Sequence, residues 1–517
     1  MGKARRWWVL VTVSAGLFLI SVDMTVLYTA LPTLTGDLGA DASQKLWIIN
    51  AYPLVAAGLL LGTGTLGDRV GHKRMFLIGL VLFGIASTVA AFAPSPEVLI
   101  AGRAFLAVGA ATMMPATLAL IRITFEDERE RGVAIGIWGT MSIIGTALGP
   151  VLGGLLLEQF WWGSVFLVNV PVVLLALVAT VFLAPGGAGR PDRPWDPVAS
   201  LHVMVGLVPL VYAIKEATKP DPAPLHIALA LLVSAVGFRA FVRRQRTRTY
   251  PLIDFSLFRN RGILVGVLGA ALAMFATAGI QLILAQRLQL VIGHTPLGAG
   301  LLVGAFALGA LPAGIVAGGL AYRVSVRTLI GGGLFVGALG VLITVLLTPG
   351  AVPVLGSARS SGWVVPGLLL AGAGLGATMS AASAAIIGGA PPHRAGMASS
   401  VEEVSYELGS LTGVAVLGSV LTAVYTRTVA LPDNTPAAAA DSLDEARATA
   451  GRLPATEAQP LLDAAKSAFD NGYTVTLALA AAVLAAGSLF TYRYLARTPA
   501  PSTDEQTGAT EQTGSTA

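Results

Sequence analysis

The chain has no cysteine, five histidines in 517 residues and only 12% charged side chains. Without cysteine there is no disulfide, no thiolate nucleophile and no cysteine-ligated metal. Five scattered histidines do not build a metal site. No Gly-x-x-x-x-Gly-Lys-Ser/Thr stretch occurs, so the sequence carries no nucleotide-binding signature of that kind. Soluble domains carry about 25% charged residues. Half that fraction, with 55% hydrophobic residues and a mean hydropathy of +0.75, excludes an ordinary soluble domain. A net charge of +5 is too modest to point to a nucleic-acid partner.

What is present is a series of apolar runs long enough to cross a bilayer. Fourteen fall at about 7–30, 47–67, 75–93, 97–121, 132–157, 164–185, 198–216, 224–242, 262–284, 297–320, 327–348, 363–389, 395–425 and 471–494. Too many runs are present for a single anchored domain. The basic start has no small-residue cleavage site after a short apolar core, so the first run is read as a retained span. An even number of spans puts both termini on one side. The segments on that side hold 23 Lys and Arg, from Lys3, Arg5 and Arg6 to Arg493 and Arg497, against nine on the other. By the positive-inside rule both termini are cytoplasmic, in a multi-pass protein of the plasma membrane. Arg103 is left over, inside a span.

The fold class expected is an all-α polytopic membrane protein of two six-helix halves with two inserted helices. Residues 1–188 form the first half. Residues 189–250 hold the inserted pair, reached by the Gly- and Pro-rich linker 186–197 and left by the basic stretch 239–261. Residues 251–497 form the second half, with a long outside loop at 426–470. There Leu461, Leu462, Ala465, Ala468 and Phe469 read as short amphipathic helices. Residues 498–517, rich in Thr, Gly and Glu, are expected to be disordered. A faint repeat joins the halves. Gly64-Thr-Leu-Gly-Asp-Arg-Val-Gly-His-Lys73 follows the second span and Gly318-Gly-Leu-Ala-Tyr-Arg-Val-Ser-Val-Arg327 the tenth, with matching Gly, Arg, Val and terminal basic positions. Repeated halves with a site between them are a common transporter plan.

Charges inside apolar spans are costly, so those that occur mark function. Asp23 is alone in the first span, roughly 24 Å along the helix from Trp7. Arg103 either snorkels to the bilayer surface or pairs with a buried carboxylate. Glu402, Glu403 and Glu407 share the thirteenth span. Glu403 and Glu407, four apart, lie on one helix face, and Glu402 is about 100° away. Carboxylates that close do not all ionise cheaply, which suits a group that holds a proton, releases it or balances a cation. Tyr406 offers an aromatic wall.

Several stretches carry a family resemblance. Gly67-Asp68-Arg69-Val70-Gly71-His72-Lys73-Arg74 resembles the loop signature of the major facilitator superfamily. Gly145-Thr-Ala-Leu-Gly149-Pro150-Val-Leu-Gly153-Gly154 resembles the fifth-span signature of its antiporters. Asp23-Met-Thr-Val with Ala30-Leu-Pro32 resembles the first span of the fourteen-helix drug/proton antiporters. Gln44-Lys-Leu-Trp-Ile and Val401-Glu-Glu-Val-Ser-Tyr-Glu-Leu-Gly409 are similar to quaternary-ammonium efflux proteins.

The resemblance implies a proton-coupled multidrug exporter of lipophilic cations, without cofactor, with protons as the coupling ion. It is not an enzyme and is expected to be monomeric. Asp23, Glu403, Glu407, Glu402 and Arg103 would carry substrate and proton. Gly67, Asp68, Arg69, Gly71, Lys73 and Arg74 would form a gating loop, with Asp68 as a latch accepting hydrogen bonds from Arg69 or from a helix N-terminus across the halves. Gly145, Gly149, Pro150, Gly153 and Gly154 would seal the outer side. Trp, Phe, Tyr and Met side chains would give the cation apolar and cation–π contact. Tyr322 stands where a second Asp68 would, so the second-half latch is degenerate. The alternatives are a dedicated exporter of one antibiotic or secondary metabolite, an importer, or, from another class, a membrane enzyme or receptor. About 27 Arg to 6 Lys in an Ala- and Gly-rich chain fits a high-GC genome, where dedicated exporters are common.

Two positions depart from the quaternary-ammonium pattern. Asn50 stands in the second span and Ala310 in the tenth, where some members carry acids. Fewer acids leave less charge to balance a dication. Lipophilic monocations are therefore expected to be exported better than matched dications; equal export of both from the same cells would remove this reading.

Overall fold

In a bilayer every backbone polar group must be satisfied within the protein, and the apolar runs meet that demand as helices. The computed structural model describes residues 2–186, 189, 195–217, 222–248, 251–321, 323–348, 364–390, 395–432 and 435–496. Tyr322, most of the linker 187–194 and the tail 498–517 lie outside the described residues.

The first six spans are α1 (Lys3–Leu38), α2 (Ala42–Val70), α3 (His72–Ala91), α4 (Pro96–Thr124), α5 (Glu128–Gln159) and a sixth shared by α6 (Ser164–Leu167) and α7 (Asn169–Leu183). The inserted pair is α8 (Pro197–Ala217) and α9 (Pro224–Thr247). The second half contains α10 (Arg261–Gln286), continued by a π turn to Val291, then α11 (Pro296–Leu320), α12 (Val326–Leu347), α13 (Val365–Gly388) and α14 (Ala395–Thr428). It ends with a short helix, α15 (Leu443–Ala450), and the long α16 (Ala455–Ala496). Among the described residues 12 helices are long and apolar enough to span a membrane, and the bent α2 and α5 bring the number to 14. α5 bends by 45° between Thr146 and Leu148. Pro150 explains the position, because it lacks the N–H that would bond to the Thr146 carbonyl.

Two apolar cores correspond to the two halves, one centred on α1–α4 and α7, the other on α10–α16. Helix pairing repeats between them. In the first half α1 packs on α5, α3 on α4, α2 on α4 and α3 on α7. In the second, α10 packs on α14, α12 on α13, α11 on α13 and α12 on α16. The halves meet along α2·α14 and α5·α11, which are the same pairing seen from either half, and along α1·α10. The two repeated sequence stretches occupy equivalent loops, between α2 and α3 and between α11 and α12.

The inserted hairpin lies to one side. α8 packs on α2 and α14, and α9 packs mainly on α8. Leu225, Leu229, Leu232 and Val236 of α9 are exposed, as a face turned to lipid requires. Beside the start of α8, Asp196 accepts from Arg244 Nε at 2.7 Å and from the Ala199 N–H at 3.2 Å. Partial burial pushes its carboxyl up, but these bonds win and hold it below the usual carboxylate range.

The structure corrects two boundaries. The basic residues 239–247, read as linker, are helical and end α9. The loop expected at 426–470 is shorter, because α14 runs to Thr428 and α16 starts at Ala455. Leu461, Ala465, Ala468 and Phe469 are buried in the second core as the first turns of α16 rather than as separate helices. Their spacing is helical, and a surface to pack on lets the last span extend through them.

The end of the bundle that carries Lys3 is called the near end, and the opposite one the far end. At the far end α5 and α11 approach closely. A Cβ on Gly154 would sit 2.4 Å from Leu297 Cα, and one on Gly300 would sit 2.2 Å from the Pro150 oxygen. Gln289 Nε2 donates to the Thr29 carbonyl across the halves at 2.8 Å. Gly154→Val is thus expected to reduce transport at least tenfold with membrane insertion retained, measured as dye efflux against the amount of protein in the membrane. Gly139→Ala, on the same helix but with open space around it, should leave efflux unchanged.

Candidate functional site

Six helical segments of the first half converge on one ion pair. Asp23 on α1 and Arg103 on α4 are 0% and 2% exposed. Arg103 Nη1 donates to Asp23 Oδ2, and its Nε donates to the Ile48 carbonyl of α2 at 3.4 Å. Asn169, the first residue of α7, donates from Nδ2 to Asp23 Oδ1 at 3.3 Å and to Ser87 Oγ of α3 at 3.2 Å. The guanidinium lies over the Tyr52 ring at 4.8 Å, with Phe166 at 5.9 Å. Arg103 therefore does not snorkel. Burial of one charge at this depth is costly, and the second charge, the amide and the two rings together compensate it.

The second half contributes the three acids of α14, which face different surroundings. Glu402 is buried and accepts from Tyr406 Oη at 2.8 Å and from Ser383 on α13. Tyr406, expected as an aromatic wall, is a hydrogen-bond donor to an acid one turn away. Glu403 alone of the five charged groups keeps partial exposure. Glu407 is buried, its Oε2 makes no hydrogen bond, and the charge acting on it is Arg103 of the other half. Arg103 is thus hydrogen-bonded to Asp23 and acts on Glu407 through its charge alone. Asp23, expected to carry substrate and proton, has no exposed surface and is paired with Arg103.

Asn50 is fully buried, and both its amide atoms lack a partner. Sequence reasoning missed Tyr52, Ser87 and Asn169. Asn169 left a signal, being the one amide side chain in the apolar stretch 164–183. Ser87 and Tyr52 left none, because each is unremarkable until the fold places it.

The gating-loop residues lie at the near end. Gly71 has φ 101°, a conformation open to glycine and strained for other residues. Asp68 Oδ1 lies 3.3 Å from His72 Nε2. Lys73 Nζ donates to the Val181 and Ala184 carbonyls at 2.8 and 3.0 Å, closing the C-terminus of α7. Arg74 is exposed, and the Arg69 carbonyl packs against Gly189. The glycine stripe of α5 has two faces. Gly145, Gly149 and Gly153 lie against α1 at Phe18, Ser21, Thr25 and Val26, whereas Gly154 meets α11. Pro150 sits between, its carbonyl against Gly300. Among the described residues no cluster of His, Asp and Glu could hold a metal.

The family model described as Major Facilitator Superfamily matches residues 13–413. Methyl viologen resistance protein SmvA of Salmonella typhimurium is 38% identical over 488 residues, covering 93% of this chain and 96% of that one. Multidrug efflux pump LfrA of Mycolicibacterium smegmatis is 38% identical over 492 residues, covering 94% and 95%. Puromycin resistance protein pur8 of Streptomyces alboniger is 32% identical over 516 residues, covering 99% and 94%. A solved bacterial homolog of the human lysosomal transporter Spinster superposes with a TM-score of 0.67 at 17% identity, covering 97% of this chain and all of that one, and shows the shared fold.

Removing one member of a buried pair strands the other. Asp23→Asn is expected to cost about 3 kcal/mol of stability. In Asp23→Asn with Arg103→Gln, part of that loss should return, because no charge is left unpaired. Thermal unfolding of the purified protein in detergent measures both, and additive losses would mean that the pair is not coupled.

Proposed function

The chain belongs to the major facilitator superfamily, and from that premise we propose that it exports lipophilic cations from the cytoplasm in exchange for protons. It is a drug-efflux transporter and not an enzyme. Both termini lie in the cytoplasm of a plasma-membrane protein that works as a monomer, so the near end is the inner one. The observation that carries the reading is the buried Asp23–Arg103 pair, whose charge reaches Glu407 of the other half.

A proton on Asp23 removes the charge that neutralises Arg103, and the freed guanidinium then acts more strongly on Glu407. A proton bound in the first half in this way alters the charge that the second half presents. Glu403, partly exposed, offers the carboxylate on which an amphipathic cation docks, with Glu402 and Glu407 adding negative potential behind it. When the halves rock and protons arrive from outside, the attraction falls and the cation leaves. The glycine contact of α5 with α11 closes the outer side while the cation loads, and the 67–74 loop with Asp68 latches the inner side in the opposite state. No cofactor enters this cycle; the proton gradient drives it.

Three relatives refine the substrate question. Methyl viologen is a dication, so the SmvA likeness pulls against the preference for monocations drawn from Asn50 and Ala310, and a matched pair of mono- and bisquaternary dyes separates the two. The likeness to the puromycin resistance protein and to the tetracenomycin C resistance and export protein of Streptomyces glaucescens favours, as the second reading, an exporter dedicated to one antibiotic.

Ethidium efflux from energised, efflux-deficient bacteria tests the main reading. Export by the wild-type chain, stopped by an uncoupler and reduced at least tenfold in Asp23→Asn and Glu403→Gln, is expected. If no dye is exported while neutral or anionic antibiotics lose potency, the cation reading fails and the acids serve proton coupling alone.

A further inference from the structure

Between α14 and α16 the chain forms a strap across the far end. α15 starts on a cap in which the Glu445 N–H donates to Ser442 Oγ at 3.2 Å. Its Leu443, Ala446 and Ala450 are buried in the second core. Tyr425 Oη donates to the Ala439 carbonyl at 3.1 Å, and Arg447 Nη1 donates to the Leu290 carbonyl at 3.5 Å. The strap is therefore a fixed part of the second half. It reaches the first half through an ion pair, Asp444 of α15 with Lys45 of α2. The two side chains are 24% and 12% exposed, dry enough for the charges to matter and wet enough to part.

Beneath the pair is a cavity lined by Leu31, Ile49, Leu282, Thr422, Tyr425 and Phe469, drawn from both halves. Because α2 moves with the first half and α15 with the second, any separation of the far ends breaks Lys45 from Asp444 and opens this cavity. The neighbouring contacts across the halves, Gln289 with Thr29 and Gly154 with Leu297, are neutral.

We propose that Lys45 and Asp444 are the outer tie of the transport cycle. They hold the strap on the first half while the far side is closed, and the strength of that hold sets how often the far side opens. The proposal rests on the reading that the halves alternate, but not on the identity of the substrate.

The absence of cysteine gives a direct test. In full-length protein carrying Thr422→Cys as its one thiol, a membrane-impermeant maleimide added outside intact cells reports opening of the cavity. Lys45→Ala and Asp444→Asn are each expected to raise the labelling rate about fivefold, the size of one partly buried ion pair. The charge swap, Lys45→Asp with Asp444→Lys, should bring the rate back to within about twofold of the parent. Lys45→Gln, which removes the charge but keeps most of the side-chain length, replaces the alanine variant if that fails to insert. Unchanged rates in the single variants, or no recovery in the swap, overturn the tie.

A second thiol, Ser400→Cys near the inner end of α14, separates this failure from failure of the alternating reading. If the tie biases alternation, labelling at position 400 from the inside falls as labelling at 422 rises. A rise at both positions would mean a loosened strap and no role in the cycle. Loss of ethidium export by the parent would sink the cation reading and leave these rates interpretable.

Discussion

A carboxylate and a guanidinium, both without meaningful contact with water, sit deep in the first half, and much of the site follows from keeping them together. Either alone would cost a few kcal/mol or more at that depth. Asp23 and Arg103 reduce the cost for each other, and the surroundings do the rest. Asn169 and Ser87 fix the carboxylate, the Ile48 carbonyl takes an N–H, and Tyr52 and Phe166 offer aromatic faces. α1, α2, α3, α4, α6 and α7 are thereby bound to one point. That makes the first half a stiff body able to move as a unit, which rocking of two halves requires.

The boundary between the halves is of another kind. It is built from close backbone approach at glycines and a neutral hydrogen bond from Gln289 to the Thr29 carbonyl, with the Lys45–Asp444 pair at its far-end rim. Contacts of this sort can be made and remade without stranding a deep charge. The exception is Arg103, whose field reaches Glu407 on the opposite half. Stiffness within each half and electrostatic links between the halves together suit a transporter. The repeated pairing α2·α14 and α5·α11 gives that boundary a two-fold character, so the halves can tilt about it in either sense.

Depth and exposure separate groups that look alike in sequence. Asp23 is closed off and paired, Glu402 is held by Tyr406 and Ser383, Glu407 faces a cation it does not touch by hydrogen bond, and Glu403 keeps access to solvent. The five charged groups were legible because bilayer spans seldom contain any. Their different surroundings were not, since these depend on which helices pack around each one.

Sequence alone determined that this chain spans a membrane many times, because 12% charge and fourteen apolar runs leave its backbone no other way to be satisfied. It determined the two-part plan through the repeated loops, and it marked Asp23, Arg103 and the three glutamates by their cost. The tertiary structure decided the rest. Only packing could pair residue 23 with residue 103, bring Asn169 to the same carboxylate and set Arg103 opposite Glu407, because spacing along one helix says nothing about contacts between helices. Only packing could show that Leu461 to Phe469 extend the last span and that Asp444 reaches Lys45, about 400 residues away. The physical reason is the same in each case. Local pattern reports the free energy of placing a residue in lipid or water, whereas the partner that makes a buried charge tolerable is supplied by the fold.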